Sequence, residues 1–329
     1  RYLWGLAPRR GRRPPRMSAA APVIAPVVLT PTLRVHDETF DPAQRTRYGL
    51  YVVIRADGGL RLAVLDTGRT KFLVLEDYDQ PPAPADGPDV TPVSPTATLR
   101  ALTQHHGWVG ARGWHHVRVA VQHARATLVP TDLFRPADAA ALLALHCDVQ
   151  PDHERALWHQ HPAADLTAVF ATEAALPDWL SATYGAGVAQ VLPCLSSLVE
   201  GVLHQPSRAE TSFAPNPATM NLHVSSGLLT VAVVRGRRLE FTNVFAFTTP
   251  EDLVYYTILV MQELQLTPEQ VPVTVWGDLT PDAALLQLLR RYVRTVRLGE
   301  RPPDLHYTYR LDQTFPHRYF ELFAVHLCG

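Results

Sequence analysis

The residues best suited to metal binding in this chain are fifteen histidines, which concentrate around positions 105–123 and 153–161. None of them pairs with a carboxylate or a second histidine at a recognised helical metal-binding spacing. His159 and His161 would share one face of a strand, but we interpret the surrounding segment, 151–162, as a loop. We therefore expect surface or capping histidines and no metal site.

Nucleophilic chemistry has equally little support in the sequence. Cys147, Cys194 and Cys328 are far apart and odd in number, which argues against a disulfide framework or a thiolate metal site. Cys194 follows a predicted strand end, but nothing beside it indicates a nucleophile, so we expect a buried structural thiol. No serine lies in a Gly-x-Ser-x-Gly elbow. Free thiols favour a reducing, cytoplasmic location.

Two pairs of predicted hairpin turns, one in each half of the chain, organise the rest of the sequence. Glycine accepts the positive φ of tight turns, and each turn lies between runs of strand-forming residues. Gly59 and Gly68 are nine residues apart, as are Gly227 and Gly236, so the two pairs superimpose with a shift of 168 residues. Each half then continues with a helix, a strand and another helix, which predicts a duplicated mixed α/β unit.

This duplicated pattern resembles the superfamily of actin, sugar kinases and heat-shock chaperone ATPases. More narrowly, the segment 239–245, followed by Asp252, Tyr255-Tyr256 and Val275-Trp276-Gly277, resembles an uncharacterised bacterial family of unknown function, and so does the ending from Pro316. The resemblance implies a duplicated ribonuclease-H-like (actin-like ATPase) fold, with two mixed-sheet domains flanked by helices around a cleft. It also implies kinship with the ATPase-like proteins of pilus assembly and cell division.

The same resemblance implies where a nucleotide would bind. In the superfamily the first hairpin of each half cradles phosphates, an Asp orders the water shell of a magnesium ion, and a Gly pair contacts adenosine. The matching positions here are Asp57, Gly59, Ser225, Ser226, Gly227 and Gly277.

The sequence departs from that pattern at three of these places. Leu60 stands where a hydroxyl is expected, Ser225 replaces the second aspartate, and Gly277 is a single glycine. A serine cannot supply a carboxylate's charge beside magnesium, so we expect no ATP hydrolysis and no cofactor. Residual binding of ATP and magnesium is the alternative, and ordinary turns explain the same glycines.

The domain boundaries follow from composition. Six arginines and no acids precede Met17, so we interpret residues 1–47 as disordered or as an upstream extension, with a natural start at Met17. We expect a first actin-like domain at 48–206 with a Pro-rich loop at 80–95, a linker at 207–217, and a second actin-like domain at 218–329.

A net charge of −1 gives no global field for nucleic acid or a membrane surface, and no uninterrupted apolar run is long enough to span a bilayer. We interpret the stripe of Arg290, Arg291, Arg294 and Arg297 as a solvated face. The favoured function is a catalytically degenerate actin-like protein, a pseudo-ATPase that binds a protein partner in the cytoplasm. The alternative is a nucleotide-dependent switch. We expect a monomer or homodimer, because two places where actin-like polymers carry inserted subdomains have no room for them.

Overall fold

A computed structural model describes residues 29–80, 94–123, 125–205 and 217–329. The strands in these ranges are β1 Thr30–His36, β2 Tyr48–Ile54, β3 Leu60–Asp66, β4 Lys71–Asp79, β5 His116–Val121, β6 Ala126–Pro130, β7 Glu154–His161, β8 Leu166–Glu173, β9 Ala189–Pro193, β10 Ala218–Ser225, β11 Leu228–Arg235, β12 Arg238–Ala246, β13 Val273–Gly277, β14 Val296–Leu298 and β15 His306–Tyr307. The α-helices are α1 Pro95–His105, α2 Ala139–Ala144, α3 Ala175–Tyr184, α4 Cys194–Leu203, α5 Pro250–Glu263, α6 Ala284–Leu289 and α7 Phe320–Ala324.

Two mixed sheets carry the duplication. The first has the order β1-β4-β3-β2-β5-β9, and the second has the order β12-β11-β10-β13-β14. In each, three antiparallel strands joined by hairpins are followed by parallel strands on the far side of the first hairpin strand. We call the unit built on the first sheet the first lobe and the unit built on the second sheet the second lobe. This is the mixed-sheet pair that the two sets of matched glycines predict.

The central strands are buried on both faces because both faces are covered. Every residue of β2 and β3 is buried, as expected for strands between two layers. Helices α1 and α3 cover one face of the first sheet, where residues such as Leu50, Leu102 and Leu180 form a common core. Helices α5 and α6 pack on the second sheet in the same way.

Residues 126–173 form a separate unit, which we call the insert. Its strands make a three-stranded antiparallel sheet in the order β6-β8-β7. The interpretation of 151–162 as a loop was wrong, because β7 occupies Glu154–His161. A half-exposed strand rich in charged and polar residues gives little strand signal in the sequence.

The end of the chain returns to the first lobe, so the expected second domain at 218–329 is too long. β15 pairs in parallel with β4, and Phe323 packs on Phe72 with ring centroids 4.7 Å apart. The Arg118 guanidinium donates hydrogen bonds to the carbonyl groups of His326 and Gly329, both at 2.6 Å. The outer face of the first sheet is apolar and requires this cover.

The beginning of the described chain also differs from expectation. Residues 30–36 form β1, which pairs antiparallel with β4, and Asp41 caps a short 3-10 helix at Pro42–Arg47. This part of 1–47 is therefore ordered, because it completes the edge of the first sheet. Three of the predicted features lie outside the described residues: Met17, residues 81–93 of the predicted Pro-rich loop and residues 207–216 of the predicted linker. Within the described residues, no helix has the length and apolar character needed to cross a bilayer.

Candidate functional site

The first hairpins of the two lobes meet at their tips. Ser226, in the turn between β10 and β11, donates a hydrogen bond of 2.9 Å to Oδ2 of Asp57, in the turn between β2 and β3. The other carboxylate oxygen of Asp57 accepts the backbone N–H of Gly59 at 2.9 Å and so closes its own turn. Ser226, with a φ of +50°, is the residue that faces Asp57, whereas Ser225 points elsewhere.

The Gln122 side chain ties the bases of the same two hairpins. Its amide nitrogen donates to the carbonyl of Ser225 at 3.1 Å, and its amide oxygen accepts the N–H of Ala56 at 3.1 Å. Gln122 directly follows β5, whose parallel pairing with β2 places it beside the end of that strand. The two lobes are thus joined at both the tip and the base of the hairpins.

Arg61 occupies the space below this contact. It is fully buried on β3, and its guanidinium forms short hydrogen bonds with Asp278 of the second lobe and Glu321 of α7. Its Nε lies 3.5 Å from an oxygen of Asp77. One cation therefore joins carboxylates from the first lobe, the second lobe and the C-terminal helix.

Two second-lobe residues complete this network. Ser225 donates a hydrogen bond of 2.6 Å to the carboxylate of Asp278, and His223 Nε2 lies 3.0 Å from Oε2 of Glu321. Both come from β10, where alternate residues point to the same face of the sheet. The serine in the position of the second aspartate thus holds another carboxylate, not a metal's water shell.

Burial disfavours the charged form of each group in the network, and the opposite charges around it offset much of that cost. Burial by itself raises the pKa of Glu321, but the charges of Arg61 and His223 outweigh it and lower the pKa to about 2. Burial opposes the charge of Arg61, but Glu321 and Asp278 raise its pKa well above its usual value. Burial raises the pKa of Asp77 despite the opposing influence of Arg61.

Arg55 forms a second ionic cluster under the first hairpin. Its Nε lies 3.2 Å from Asp57 Oδ1, and its Nη2 forms a short bond with Asp79. Gly59 makes room for this arginine, because a Cβ at that position would lie 2.0 Å from Arg55 Nη2. A side chain at the predicted phosphate-loop glycine would therefore force the Arg55 guanidinium to move from its present contacts.

Gly277 is also explained by the packing of the protein itself. Its φ is +110°, and a Cβ there would lie 2.0 Å from the carbonyl oxygen of Val224. Its N–H donates to the carbonyl of His317 at 2.9 Å, and the next N–H, of Asp278, donates to that of Val224 at 2.7 Å. The glycine lets β13 pass close to β10 and turn Asp278 towards Arg61. Gly227, with a φ of +72°, belongs to the hairpin turn beside Ser226.

Above the network lies a cleft of about 850 Å³ between the lobes. The first lobe contributes Arg55, Asp57 and Asp79 to its lining. The rest of the chain contributes Asp278, Leu279, Leu285, Phe315 and Arg318. Of all the predicted site residues, Asp57 and Ser226 line this cleft. Ser225, Gly59 and Gly277 contribute to the network or to turns beneath it.

A magnesium-bound triphosphate does not fit this arrangement. The charged side chains that line the cleft are three carboxylates and two guanidinium groups, so one carboxylate is in excess where a polyanion would lie: Asp57, Asp79 and Asp278 against Arg55 and Arg318. Asp57, the candidate metal-ordering carboxylate, already accepts bonds from Gly59 and Ser226 and contacts Arg55. The described residues include no group of three or more His, Cys, Asp or Glu side chains arranged to hold a metal ion.

Sequence reasoning missed the residues at the centre of the network: Arg61, Asp278, Glu321 and Gln122. A signal for two of them was present. Arg61 interrupts the apolar run LRLAVL, and Glu321 interrupts FELFAV, and a charge in a fully buried stretch indicates a buried partner. The identity of each partner was not readable, because Arg61 and Glu321 are 260 residues apart.

One histidine cluster resembles hydrolase machinery in its contacts. His161 Nδ1 lies 2.7 Å from Glu200 Oε1, and its Nε2 lies 2.9 Å from Ser196 Oγ. His161 and Ser196 have no exposed surface, so no substrate reaches the hydroxyl. The interpretation of His161 as a surface or capping histidine was wrong, because its buried ring contacts Glu200 and Ser196 and so anchors β7 of the insert to α4.

Comparison with known proteins agrees with this architecture. Residues 37–296 match the model of a protein family of unknown function, DUF3822. No curated protein matches the chain. A crystal structure from Bacteroides thetaiotaomicron, described as a protein with actin-like ATPase fold and unknown function, superposes with a TM-score of 0.69 at 16% identity, over 88% of this chain and 100% of that chain.

A second solved structure, described as the PilM-PilN type IV pilus biogenesis complex, superposes with a TM-score of 0.51 at 14% identity. The match covers 85% of this chain and 98% of that chain. At these identities the likeness shows the fold alone, and the fold agrees with the sheet order described above. The chain belongs to the DUF3822 family of proteins of unknown function, and it has an actin-like ATPase fold.

Proposed function

We propose that this protein is an actin-like pseudo-ATPase that acts in the cytoplasm by binding a protein partner. The observation that carries the proposal is the contact set of Arg61, which joins both lobes and α7 through buried carboxylates. In this arrangement the chain's own side chains do what a bound nucleotide does in an actin-like ATPase: they hold the two lobes together.

The energetics favour a permanent connection over a ligand-controlled one. Removing one partner of a buried ion pair costs about 3–5 kcal/mol, because the other charge is left buried and unpaired. A ligand can shift a two-state equilibrium only by its difference in affinity for the two states. A nucleotide would have to displace the Ser226–Asp57 contact and enter a cleft with an excess of carboxylates. Its affinity for a closed state should therefore be little higher than its affinity for an open one.

Two further observations support a binding role and a cytoplasmic location. PilM, which shares the fold, is described in a complex with PilN in type IV pilus biogenesis, and we extend protein binding to the present chain as part of the proposal. Cys147, Cys194 and Cys328 are free thiols, which suit a reducing compartment.

A nucleotide titration tests the proposed loss of ATPase function. A ligand bound only by the folded state at about 100 times its Kd stabilises that state by about 2.7 kcal/mol. We expect millimolar Mg-ATP, Mg-ADP and Mg-GTP to leave the Tm within about 1 °C of the ligand-free value, and we expect no phosphate release. A saturable rise in Tm with Mg-ATP, absent with magnesium alone, would overturn the proposal.

Partner binding is tested separately, in cells that express the protein at its natural level. Chemical crosslinking followed by affinity capture and mass spectrometry should enrich the same protein in independent cultures. The same lysate passed over a charge-matched unrelated protein is the control. Failure to enrich any protein above that control would count against the binding role.

The second candidate is a nucleotide-dependent switch, and the volume of the cleft favours it. A space of about 850 Å³ is large enough for a nucleotide-sized ligand. The same titration decides between the two, because only a switch requires Mg-nucleotide to raise the Tm.

A further inference from the structure

Three apolar side chains in the lining of the cleft are incompletely buried. Leu279 and Leu285 are partly buried, and Phe315 is 43% exposed, and all three line the same cavity of about 850 Å³. Apolar surface in contact with water is unfavourable, and cavities of this size with apolar walls are typical of binding sites. The lining therefore suits an occupant that brings apolar side chains.

The described chain begins beside this cleft. Thr30, the first residue of β1, lines the cavity and pairs with Asp79, which also lines it. β1 runs antiparallel to β4, so the chain before Thr30 arrives at the end of the sheet where β4 finishes. The segment that precedes Leu29 is therefore attached at the edge of the cleft.

Residues 17–28 have the chemistry of such an occupant. Their sequence is MSAAAPVIAPVV, which has no charged side chain and only one polar side chain, Ser18. Pro22 and Pro26 disfavour a helix and so favour an extended segment. Twelve extended residues span up to about 40 Å, whereas a cavity of this volume is roughly 10 Å across. The segment is long enough to reach the whole cavity from its point of attachment.

Two polar atoms of the lining match an extended backbone. Gln80 Oε1 and Arg318 Nε are buried and have no hydrogen-bond partner among the described residues, and both side chains line the cavity. An extended segment offers N–H groups that can donate to Gln80 and carbonyl groups that can accept from Arg318. Since residues 17–28 carry no charge, the carboxylates of the lining do not repel them.

We propose that residues 17–28 occupy the cleft of their own molecule, with their valine and isoleucine side chains against Leu279, Leu285 and Phe315. Attachment at Thr30 gives the segment an effective concentration on the order of millimolar at the cleft, so a modest intrinsic affinity is sufficient. Any ligand of the cleft has to displace the segment, which makes it a built-in competitor. The proposal does not depend on the proposed function, because it concerns only what lies in the cleft of the isolated chain.

Residues 81–93 are the competing occupant, because they follow Gln80 directly and are also attached beside the cleft. They contain Asp86 and Asp89 and no basic residue. The carboxylates that line the cleft would repel these two acids. The uncharged segment 17–28 is therefore the better match.

Hydrogen exchange on the full chain tests the contact. Val23→Asp/Ile24→Asp puts two negative charges into the segment and should release it from the cleft. Backbone amides of residues 279–285 should then exchange several-fold faster than in the wild type at short exchange times. Val90→Asp/Val93→Asp is the matched control and should leave their exchange unchanged. Unchanged exchange in α3, Ala175–Tyr184, checks that both variants keep the fold.

Two results of this experiment would overturn the proposal. One is wild-type exchange at residues 279–285 in Val23→Asp/Ile24→Asp. The other is faster exchange in Val90→Asp/Val93→Asp alone, which would assign the cleft to residues 81–93.

A photocrosslink tests which surface the segment contacts. With p-benzoylphenylalanine in place of Ile24, irradiation should join position 24 to residues 279–285 or to Phe315 in a product of monomer mass. The same group in place of Leu133, an exposed position of the insert, is the control and should not give this product. Failure to link position 24 to the cleft lining, or a link that forms only between two chains, would overturn the proposal.

Discussion

The hydroxyl of Ser226 donates a hydrogen bond to the carboxylate of Asp57 across 2.9 Å, so the two hairpins that would cradle phosphates in an actin-like ATPase touch each other. Ser226 and Asp57 are 169 residues apart in the sequence. The contact joins the tips of the two hairpins, while Gln122 joins their bases.

A double-mutant cycle should detect this contact in solution. We expect Ser226→Ala and Asp57→Ala to show a coupling energy of about 0.5–1.5 kcal/mol in urea unfolding, the usual range for a hydrogen bond of this kind. Ser226→Ala paired with Asp41→Ala, which removes the cap of the 3-10 helix before the opposite end of β2, should be additive within error. Additivity of the Ser226 and Asp57 variants would show that the hairpin tips are apart in solution.

Arg61→Met should lower the free energy of unfolding by about 3–5 kcal/mol, because Asp278 and Glu321 would lose their shared cation while remaining largely buried. Arg310→Met removes an ion pair with the exposed Glu38 and should lower stability far less, because water already solvates both charges. Chemical denaturation monitored by tryptophan fluorescence measures both. Equal losses in the two variants would contradict the central role of Arg61.

Gly277→Ala should destabilise the protein by more than about 2 kcal/mol, because a Cβ would collide with the Val224 carbonyl and the positive φ is strained for alanine. Gly107→Ala is the control: its Cβ would meet nothing within 4 Å, and we expect a change of less than about 0.5 kcal/mol. If Gly277→Ala has wild-type stability, the end of β13 does not approach Val224 of β10 as closely as described.

Stability should fall as the pH drops below about 6.5, the pKa of an unperturbed histidine. Burial, helped by the Arg118 charge, lowers the pKa of His116 and of His326 to about 4, and both contact the Tyr51 hydroxyl, at 2.7 and 2.8 Å. In this window the unfolded chain binds protons that the folded chain excludes, so stability is present above pH 6.5 and is lost towards pH 4.

The urea midpoint between pH 7 and 5 measures this effect. His326→Gln should reduce its slope with pH, whereas His153→Gln, at an exposed position, should leave the slope unchanged. A slope unaltered by His326→Gln would contradict the prediction. The Arg61–Glu321 pair should break only at lower pH, because a carboxyl with a pKa of about 2 keeps its charge until well below pH 4.5.

Local signals in the sequence were sufficient for the repeated hairpins. Matched glycines and buried β-branched runs predicted β2 to β4 and β10 to β12, and the strand order of both sheets agrees with that duplication. These elements depend on turn chemistry and on burial of both faces, which neighbouring residues encode. β7 was missed because its outward residues are charged and polar, and β1 because Pro31 and exposed side chains weaken its pattern.

The sequence by itself determined the duplicated fold, the positions of both pairs of hairpin turns and the absence of a second aspartate at Ser225. Only the tertiary structure decided which contacts join the two lobes in place of the missing aspartate carboxylate. Arg61 meets Asp278 and Glu321 because two lobes and a returning C-terminal helix converge on one buried point. A buried charge must find an opposite charge, but the chain does not state locally which distant residue supplies it, because that pairing follows from how the lobes pack.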